Sequence, residues 1–273
     1  MHGSGNDFLI SQLESGFLER IERLVAGLCH RHFGVGADGC IVVEQTGQGR
    51  VRMHYWNADG SKAVFCANGA RCAARFAAEL WGWRELVLET GFSAIEARVD
   101  RATVSLRVPA PAQAGPWRDF AAAGQFVRGR FVELGVPHLV VPVAWPDFWH
   151  HDLSPLAPFL RSHPELPLGG ANIHFLKVFS NDGIEVRSWE RGVEGETLSC
   201  GSGVMAAALV AGEEGWVSSC VSVATASGRE LRVATARPPF AGPVTLTGPA
   251  ERIADITVCE ETIRALSRSG QHV

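Results

Sequence analysis

The chain has 273 residues, 46% of them hydrophobic and 20% charged, with a formal net charge of −4. That length gives one large domain or two modest ones, with enough apolar surface to bury a core. Charges of both signs are scattered, so there is no basic stripe for nucleic acid and no polybasic helix for a membrane surface, and the apolar run 204–211 is too short to span a bilayer.

The first residues, Met1-His2-Gly3-Ser4-Gly5-Asn6-Asp7, lack a basic region followed by an apolar stretch and do not read as a signal peptide, so a cytoplasmic protein is expected. The patterning predicts a helix over Gly16–His30, strands at Cys40–Glu44 and Val51–Trp56, a helix over Gly69–Trp81, and strands at Glu85–Glu89 and Thr103–Val108. Pro109–Gly115, rich in Pro and Ala, is the best linker candidate and divides the chain into halves of 1–112 and 113–250. Strands are then expected at Phe131–Leu134 and His138–Val143. The Pro-rich stretch 137–167 holds one short helix at Leu156–Arg161. Further strands are expected at Ile173–Phe179 and Gly183–Trp189, a helix over Gly203–Glu214, and strands at Val221–Ala224, Glu230–Ala234 and Val244–Thr247. The fold class is α+β.

The two halves resemble each other. The first runs through Val51-Arg52-Met53-His54 to Tyr55-Trp56-Asn57-Ala58-Asp59-Gly60 and then Cys66-Ala67-Asn68-Gly69. The second runs to Ser188-Trp189-Glu190-Arg191-Gly192 and then Cys200-Gly201-Ser202-Gly203. Each is a strand ending in Trp, a polar turn, and Cys-x-[Asn/Ser]-Gly opening an Ala-rich helix. The cysteines are 134 positions apart, and the same offset aligns Gly36-Ala37-Asp38 with Gly170-Ala171-Asn172. Chance similarity of two strand–turn–helix units is the competing reading of this pattern.

Seven cysteines occur, an odd number at irregular spacing with no Cys-x-x-Cys pair, which argues against a disulfide framework or a zinc site. Cys72 is expected to pack inside its helix, and Cys29, Cys40, Cys220 and Cys259 to lie in the core. The trio Asp147, His151 and Asp152 lacks a metal-site spacing, and His150-His151 reads as a solvated loop. Lys62 and Lys177 are the only lysines, and neither stands in a glycine-rich phosphate setting, so a Schiff-base cofactor is not expected.

Cys66 and Cys200 each precede a predicted helix. Unpaired N–H groups and the helix dipole there favour thiolate and can hold a carboxylate. The glycines beside them allow close approach to a ligand. A thiolate can take the α-proton of an amino acid while a second thiol returns a proton to the other face, which is how a stereocentre is inverted without a cofactor. His138, following Pro137 at a strand start, reads on its own as a structural hydrogen-bonding residue.

Several stretches, in order over nearly the whole chain, resemble diaminopimelate epimerases: Met1-His2-Gly3-Ser4-Gly5-Asn6-Asp7-Phe8, Gly34-Val35-Gly36-Ala37-Asp38-Gly39, Asn57-Ala58-Asp59-Gly60-Ser61, Cys66-Ala67-Asn68-Gly69-Ala70-Arg71-Cys72, Gly170-Ala171-Asn172-Ile173, Glu190-Arg191-Gly192, Glu196-Thr197-Leu198-Ser199-Cys200-Gly201-Ser202-Gly203 and Thr247-Gly248-Pro249-Ala250. The resemblance implies interconversion of LL- and meso-diaminopimelate, in lysine and peptidoglycan-precursor synthesis, with no cofactor and no metal. It implies that Cys66 and Cys200 are the acid/base pair. Asn6, Asn57, Asn172 and Arg191 would read the distal amino and carboxylate groups, and Asn68, Gly69, Gly201 and Ser202 would hold the reacting carboxylate. His138 and Glu190 would support the reacting centre. It further implies two pseudo-symmetric halves, each a curved, mostly antiparallel sheet around a central helix, with the active site in the cleft between them, segment 251–273 returning to the first half, and a homodimer.

The chain departs from the family pattern in three places. Ala67 stands where many members have Gly, Gly135-Val136-Pro137-His138 stands where many have Gly-Asn-Pro-His, and the turn from Glu190 to Cys200 is one residue longer. Val136 keeps open a racemase or isomerase for another amino acid. A thiol redox protein and a non-catalytic binding module are the readings from other classes.

Overall fold

The structure, a computed structural model, describes residues 1–12 and 17–269. In chain order the elements are β1 (His2–Gly3), β2 (Asn6–Gln12), α1 (Leu18–Cys29), β3 (Gly39–Gly47), β4 (Arg50–Asn57), α2 (Ala67–Trp81), β5 (Glu85–Glu89), β6 (Ala94–Asp100) and β7 (Thr103–Val108). There follow β8 (Trp117–Ala122), β9 (Gln125–Leu134), β10 (Val136–Pro142), α3 (Ala157–Arg161), β11 (Asn172–Ser180), β12 (Gly183–Glu190), β13 (Gly195–Thr197), α4 (Gly201–Glu213), β14 (Cys220–Thr225), β15 (Leu231–Ala234), β16 (Val244–Pro249) and α5 (Glu260–Ser269). The fold is α+β and mostly sheet. The predicted first helix begins at Gly16, which lies outside the described residues. No helix among the described residues is long and apolar enough to cross a membrane.

The chain forms two compact units, Met1–Val104 with the segment that begins at Ala250, and Ser105–Pro249. In the first unit the strands run in the order β1-β2-β3-β4-β5-β6, with β2–β3 and β4–β5 parallel and β3–β4 and β5–β6 antiparallel. In the second the order is β16-β15-β14-β12-β11-β10-β9-β8, with β10–β11 and β12–β14 parallel and β11–β12 and β14–β15 antiparallel. Parallel neighbours cannot be joined by a tight hairpin and need a crossover, here a helix. So α1 and α2 carry the crossovers of the first unit, and α3 and α4 those of the second. The repeat in the sequence is a repeat of this chain path.

The central helix of each unit is small-residue-rich because it is enclosed. α2 packs against β1 through β6, and its first eight residues, from Ala67 to Ala74, are all buried. It ends at Gly82, whose left-handed backbone (φ 71°) returns its N–H to the Ala78 carbonyl. α4 is apolar all round, buried from Gly201 to Ala211, and packs against strands β9–β12, β15 and β16. The outer helix α1 is amphipathic. It buries Leu24, Val25 and Cys29, and Val25 and Cys29 pack in one cluster with Cys40, Val42 and Trp56. α5 packs on α1 at Gly27, where an added Cβ would lie 2.5 Å from Leu266 Cδ2. In the second unit, α3 closes a core of Phe120, Leu139, Phe148, Leu160, Phe175 and neighbours.

Two cysteines break the sequence expectation. Cys29, Cys40 and Cys72 are buried, but Cys220 and Cys259 are exposed. Cys220 opens β14, whose inward positions include Val221 and Val223, and Cys259 immediately precedes α5 in an irregular stretch. An apolar neighbourhood in sequence does not tell which face of its strand Cys220 takes, or whether anything covers the loop that carries Cys259.

Candidate active site

In the first unit, the turn between β4 and α2 carries the Cys-Ala-Asn-Gly motif. Cys66 is the N-cap of α2, with extended backbone (φ −143°, ψ 113°), and its Sγ accepts the Gly69 N–H at 3.4 Å. The sulfur thus takes the place of the oxygen that usually caps a helix, and it sits at the positive end of the dipole. Ala67 is the first helical residue, so the methyl in place of the family's glycine meets no backbone penalty. Cys66 Sγ lies 3.6 Å from Asn6 Oδ1, and Asn6 Nδ2 donates to Asp38 Oδ2 at 2.8 Å. Arg31 bridges Asp38 and Asp7 at 2.7 and 2.8 Å. This anchors the Asn6 strand to the Gly-Ala-Asp turn.

Beneath the same helix end, Arg71 is completely buried. Its Nη2 donates to Asn68 Oδ1 at 3.0 Å and to Ser4 Oγ at 3.1 Å. Burial depresses the guanidinium's pKa, opposed by the Cys72 and Cys66 thiols near it. Gly69 has little room for a side chain, since a Cβ would lie 3.0 Å from Ile41 Cδ1. Asn57, exposed at the end of β4, is held through Oδ1 by Tyr55 and through Nδ2 by Ser61, each at 3.1 Å. The structure therefore brings Asn6, Cys66, Asn68 and Gly69 together around one helix end.

In the second unit, Cys200 is the N-cap of α4 with the same kind of extended backbone (φ −106°, ψ 103°). Its Sγ lies 3.7 Å from Ser202 Oγ, and the residue is 5% exposed. Burial, and after it the charge of the Glu190 carboxylate, pushes this thiol well above the usual cysteine range, against the pull of the Gly203 N–H and Ser202. The helix-end preference for thiolate is overruled here, and Cys200 rests as a thiol. Glu190, the last residue of β12, is itself held by the Thr197 hydroxyl, which donates to it.

Asn172 Oδ1 accepts the Arg191 N–H at 2.8 Å, which fixes the turn that presents Arg191 on the exposed side. Arg161 binds that turn from below. It donates to Glu194 Oε1 at 2.6 and 3.1 Å and to the Gly169 carbonyl at 2.8 Å. Glu194 belongs to the longer turn and takes a left-handed backbone (φ 53°), and its carboxylate also caps the Gly192 N–H at 3.1 Å. The additional residue is thus absorbed locally by one strained, well-bonded position.

His138 is fully buried on β10, and its Nδ1 is 2.8 Å from His174 Nε2 on the neighbouring β11. His174 Nδ1 is 2.9 Å from Ser188 Oγ on β12. Burial holds His138 down to about 3, and burial together with His138 holds His174 well below the ordinary histidine range, so both rings are neutral. His138, His174 and Cys200 each offer one nitrogen or sulfur within 4.8 Å of the others, the one group among the described residues able to gather a metal ion. The ring-to-ring hydrogen bond competes with such use of those nitrogens. The loop histidine His150 is exposed and pairs with Asp147 at 2.8 Å.

Sequence reasoning missed His174, Ser188, Arg71 and Arg161. For His174 a signal existed, because it stands two residues after Asn172 and so points to the same face of its strand. For Arg71 and Arg161 the sequence shows only an arginine on a helix.

Residues 1–91 and 130–253 match the family model described as diaminopimelate epimerase. The diaminopimelate epimerase of Archaeoglobus fulgidus is 39% identical, covering 93% of each chain. That of Aquifex aeolicus is 37% identical over 85% of this chain and 88% of its own. Among solved structures, a putative phenazine biosynthesis protein from Clostridium difficile superposes with a TM-score of 0.70 at 11% identity, covering 92% of both chains. A hydroxyproline epimerase from Agrobacterium vitis gives 0.57 at 15% identity over 86% of this chain and 78% of its own. At those identities the two structures speak for the fold alone.

Proposed function

This chain belongs to the diaminopimelate epimerase family, and we propose that it interconverts LL- and meso-diaminopimelate through Cys66 and Cys200 acting as an acid/base pair. The observation that carries the reading is that both cysteines are N-caps of enclosed helices that open with Cys-x-[Asn/Ser]-Gly. A helix end supplies backbone N–H donors for the α-carboxylate and stabilises negative charge as the α-carbanion develops.

The reaction needs two protonic groups in opposite states. In one direction Cys66, as thiolate, removes the α-proton: the Cα–H bond breaks and an S–H bond forms. Cys200, which rests as a thiol, gives its proton to the opposite face: its S–H bond breaks and the new Cα–H bond forms. The product leaves Cys66 as thiol and Cys200 as thiolate, ready for the reverse isomer or for exchange with solvent. During that exchange the Cys200 thiolate regains a proton from solvent by way of the Glu190 carboxylate beside it, the Cys66 thiol gives its proton to solvent, and neutral His138 supports the reacting centre as a hydrogen-bond acceptor.

Asn68, Gly69, Gly201 and Ser202 hold the reacting carboxylate in this proposal. Asn6, Asn57, Asn172 and Arg191 read the distal zwitterion, where a guanidinium pairs with carboxylate. No cofactor or metal takes part, the protein works in the cytoplasm, and it is a homodimer. Val136, half-buried just before His138, favours the second reading, a racemase for another amino acid. A coupled assay with LL-diaminopimelate beside a panel of single L-amino acids decides between them. Turnover of diaminopimelate far above the panel supports the first, and preference for a simple amino acid supports the second.

A further inference from the structure

We propose that His174, steadied by Ser188, is a positioning residue that fixes the tautomer of His138 and leaves Nε2 of His138 as a bare hydrogen-bond acceptor. The inference rests on the reading of His138 as a helper at the reacting centre.

The argument counts hydrogens. Both imidazoles are neutral, so each carries one N–H. Between His138 Nδ1 and His174 Nε2, 2.8 Å apart, there is one hydrogen, and between His174 Nδ1 and Ser188 Oγ, 2.9 Å apart, there is one more. Two arrangements satisfy this. In the first, Ser188 donates to His174, His174 donates to His138, and His138 carries its hydrogen on Nε2. In the second, His138 donates from Nδ1 to His174, His174 donates from Nδ1 to Ser188, and His138 Nε2 has only a lone pair.

The surroundings choose the second. His138 Nε2 is buried with no hydrogen-bond partner among the described residues. A buried orphan N–H is rarer and costlier than a buried acceptor left unpaired. His138, His174 and Cys200 gather one ligating atom each within 4.8 Å of the others, which sets the histidine pair beside the Cys200 helix end.

The register holds this chain rigidly. His138 pairs with Asn172 across parallel β10–β11, and His174 lies directly opposite Ser188 across antiparallel β11–β12. The His174 ring also fills the space above Gly203, where an added Cβ would come 1.9 Å from its Cε1. The α4 glycine therefore leaves room for the histidine, and the histidine in turn sets the protonation of its neighbour. When a donor approaches His138 Nε2 it meets the lone pair while the Nδ1–H stays on His174 Nε2, so the contact needs no rearrangement of the chain.

The test is nitrogen NMR on the full-length protein labelled in histidine. Wild type between pH 6.5 and 8, on the neutral side of the unperturbed histidine pKa, should show His138 protonated on Nδ1 and bare on Nε2. A His138 protonated on Nε2 overturns the proposal. His174→Phe keeps a ring over Gly203 and removes both nitrogens. It should move the His138 hydrogen toward Nε2 and lower kcat about tenfold or more, with KM within about twofold of wild type. Ser188→Ala should give a smaller loss of about threefold and add nothing to His174→Phe in the double variant. If His174→Phe fails to fold, the wild-type spectrum and Ser188→Ala still decide. Full activity of His138→Gln would remove the reading of His138 beneath the proposal. An inactive His138→Gln beside a fully active His174→Phe with an unchanged His138 spectrum overturns the proposal alone.

Discussion

His138 Nδ1 stands 2.8 Å from His174 Nε2, both rings fully buried and both neutral. This pair links His138 to the core of its own sheet and makes the second unit sensitive to acid. His138 is held down to about 3, so the unfolded chain binds a proton there near pH 6.5 that the folded chain refuses until near pH 3. The stabilising contribution is complete above about pH 6.5 and is lost as the pH falls toward 3, at up to about 1.4 kcal/mol per pH unit. His174 is shifted in the same direction. Urea midpoints should fall steadily between pH 6.5 and 4.5 in wild type and less steeply in His138→Gln. A flat wild-type profile over that range would contradict the burial of the pair.

Gly203 bears on the same pair. A Cβ there would come 1.9 Å from the His174 ring, which has a buried strand behind it. Gly203→Ala should destabilise the protein by roughly 1–3 kcal/mol, the usual cost of overpacking a filled core. Chemical denaturation of the two proteins at pH 8 measures it, and equal midpoints would show that the His174 ring is free to move.

Arg191 is presented by the Asn172 hydrogen bond on an exposed turn, with Arg161 and Glu194 bracing the turn from behind. A desolvated Arg–carboxylate pairing is worth roughly 1.5–3 kcal/mol. Arg191→Ala should therefore lower kcat/KM for diaminopimelate by about tenfold or more and leave folding unchanged. Unchanged kinetics would remove Arg191 from substrate recognition and favour the racemase reading.

Dialysis against a chelator should leave the protein colourless and fully active, because the proposed chemistry is carried by thiols. Activity that disappears and returns with zinc or pyridoxal phosphate would overturn the cofactor-free account. Zinc rescue would also point to the group His138, His174 and Cys200.

The central helices were legible in the sequence because each opens on Cys-x-[Asn/Ser]-Gly and runs on through alanines, and α2 and α4 begin within two residues of the prediction. The two N-cap cysteines followed from the same signal. β2 was not predicted, although its residues include Asn6 beside Cys66, because Asn6–Gln12 mixes polar and apolar residues with no alternation a solvent-facing strand would show. β8 was missed because its apolar residues, Trp117, Phe120, Ala121 and Ala122, do not alternate, and α5 because only Ile263, Ala265 and Leu266 are apolar in it. The asparagines and Arg191 came into view only through the motifs that carry the family resemblance. The His138–His174–Ser188 chain was not, since it joins three strands whose register no single-strand pattern reveals. The state of Cys200 was also hidden. Its helix-end position was readable, but the depth of its burial beside Glu190, which reverses the expected shift, was not.

The most direct test of the two-cysteine account is epimerisation of LL-diaminopimelate in D₂O, stopped at low conversion and read by mass spectrometry of the separated isomers. Two thiols that act from opposite faces must deliver a solvent-derived proton to every product molecule. The product should carry deuterium at the inverted carbon from the first turnover, while the remaining substrate carries little, and Cys66→Ser and Cys200→Ser should each abolish product formation while folding normally. Product that retains the original hydrogen, or a single serine variant with near-normal turnover, would contradict it and leave the paired cysteines as architecture without shared chemistry.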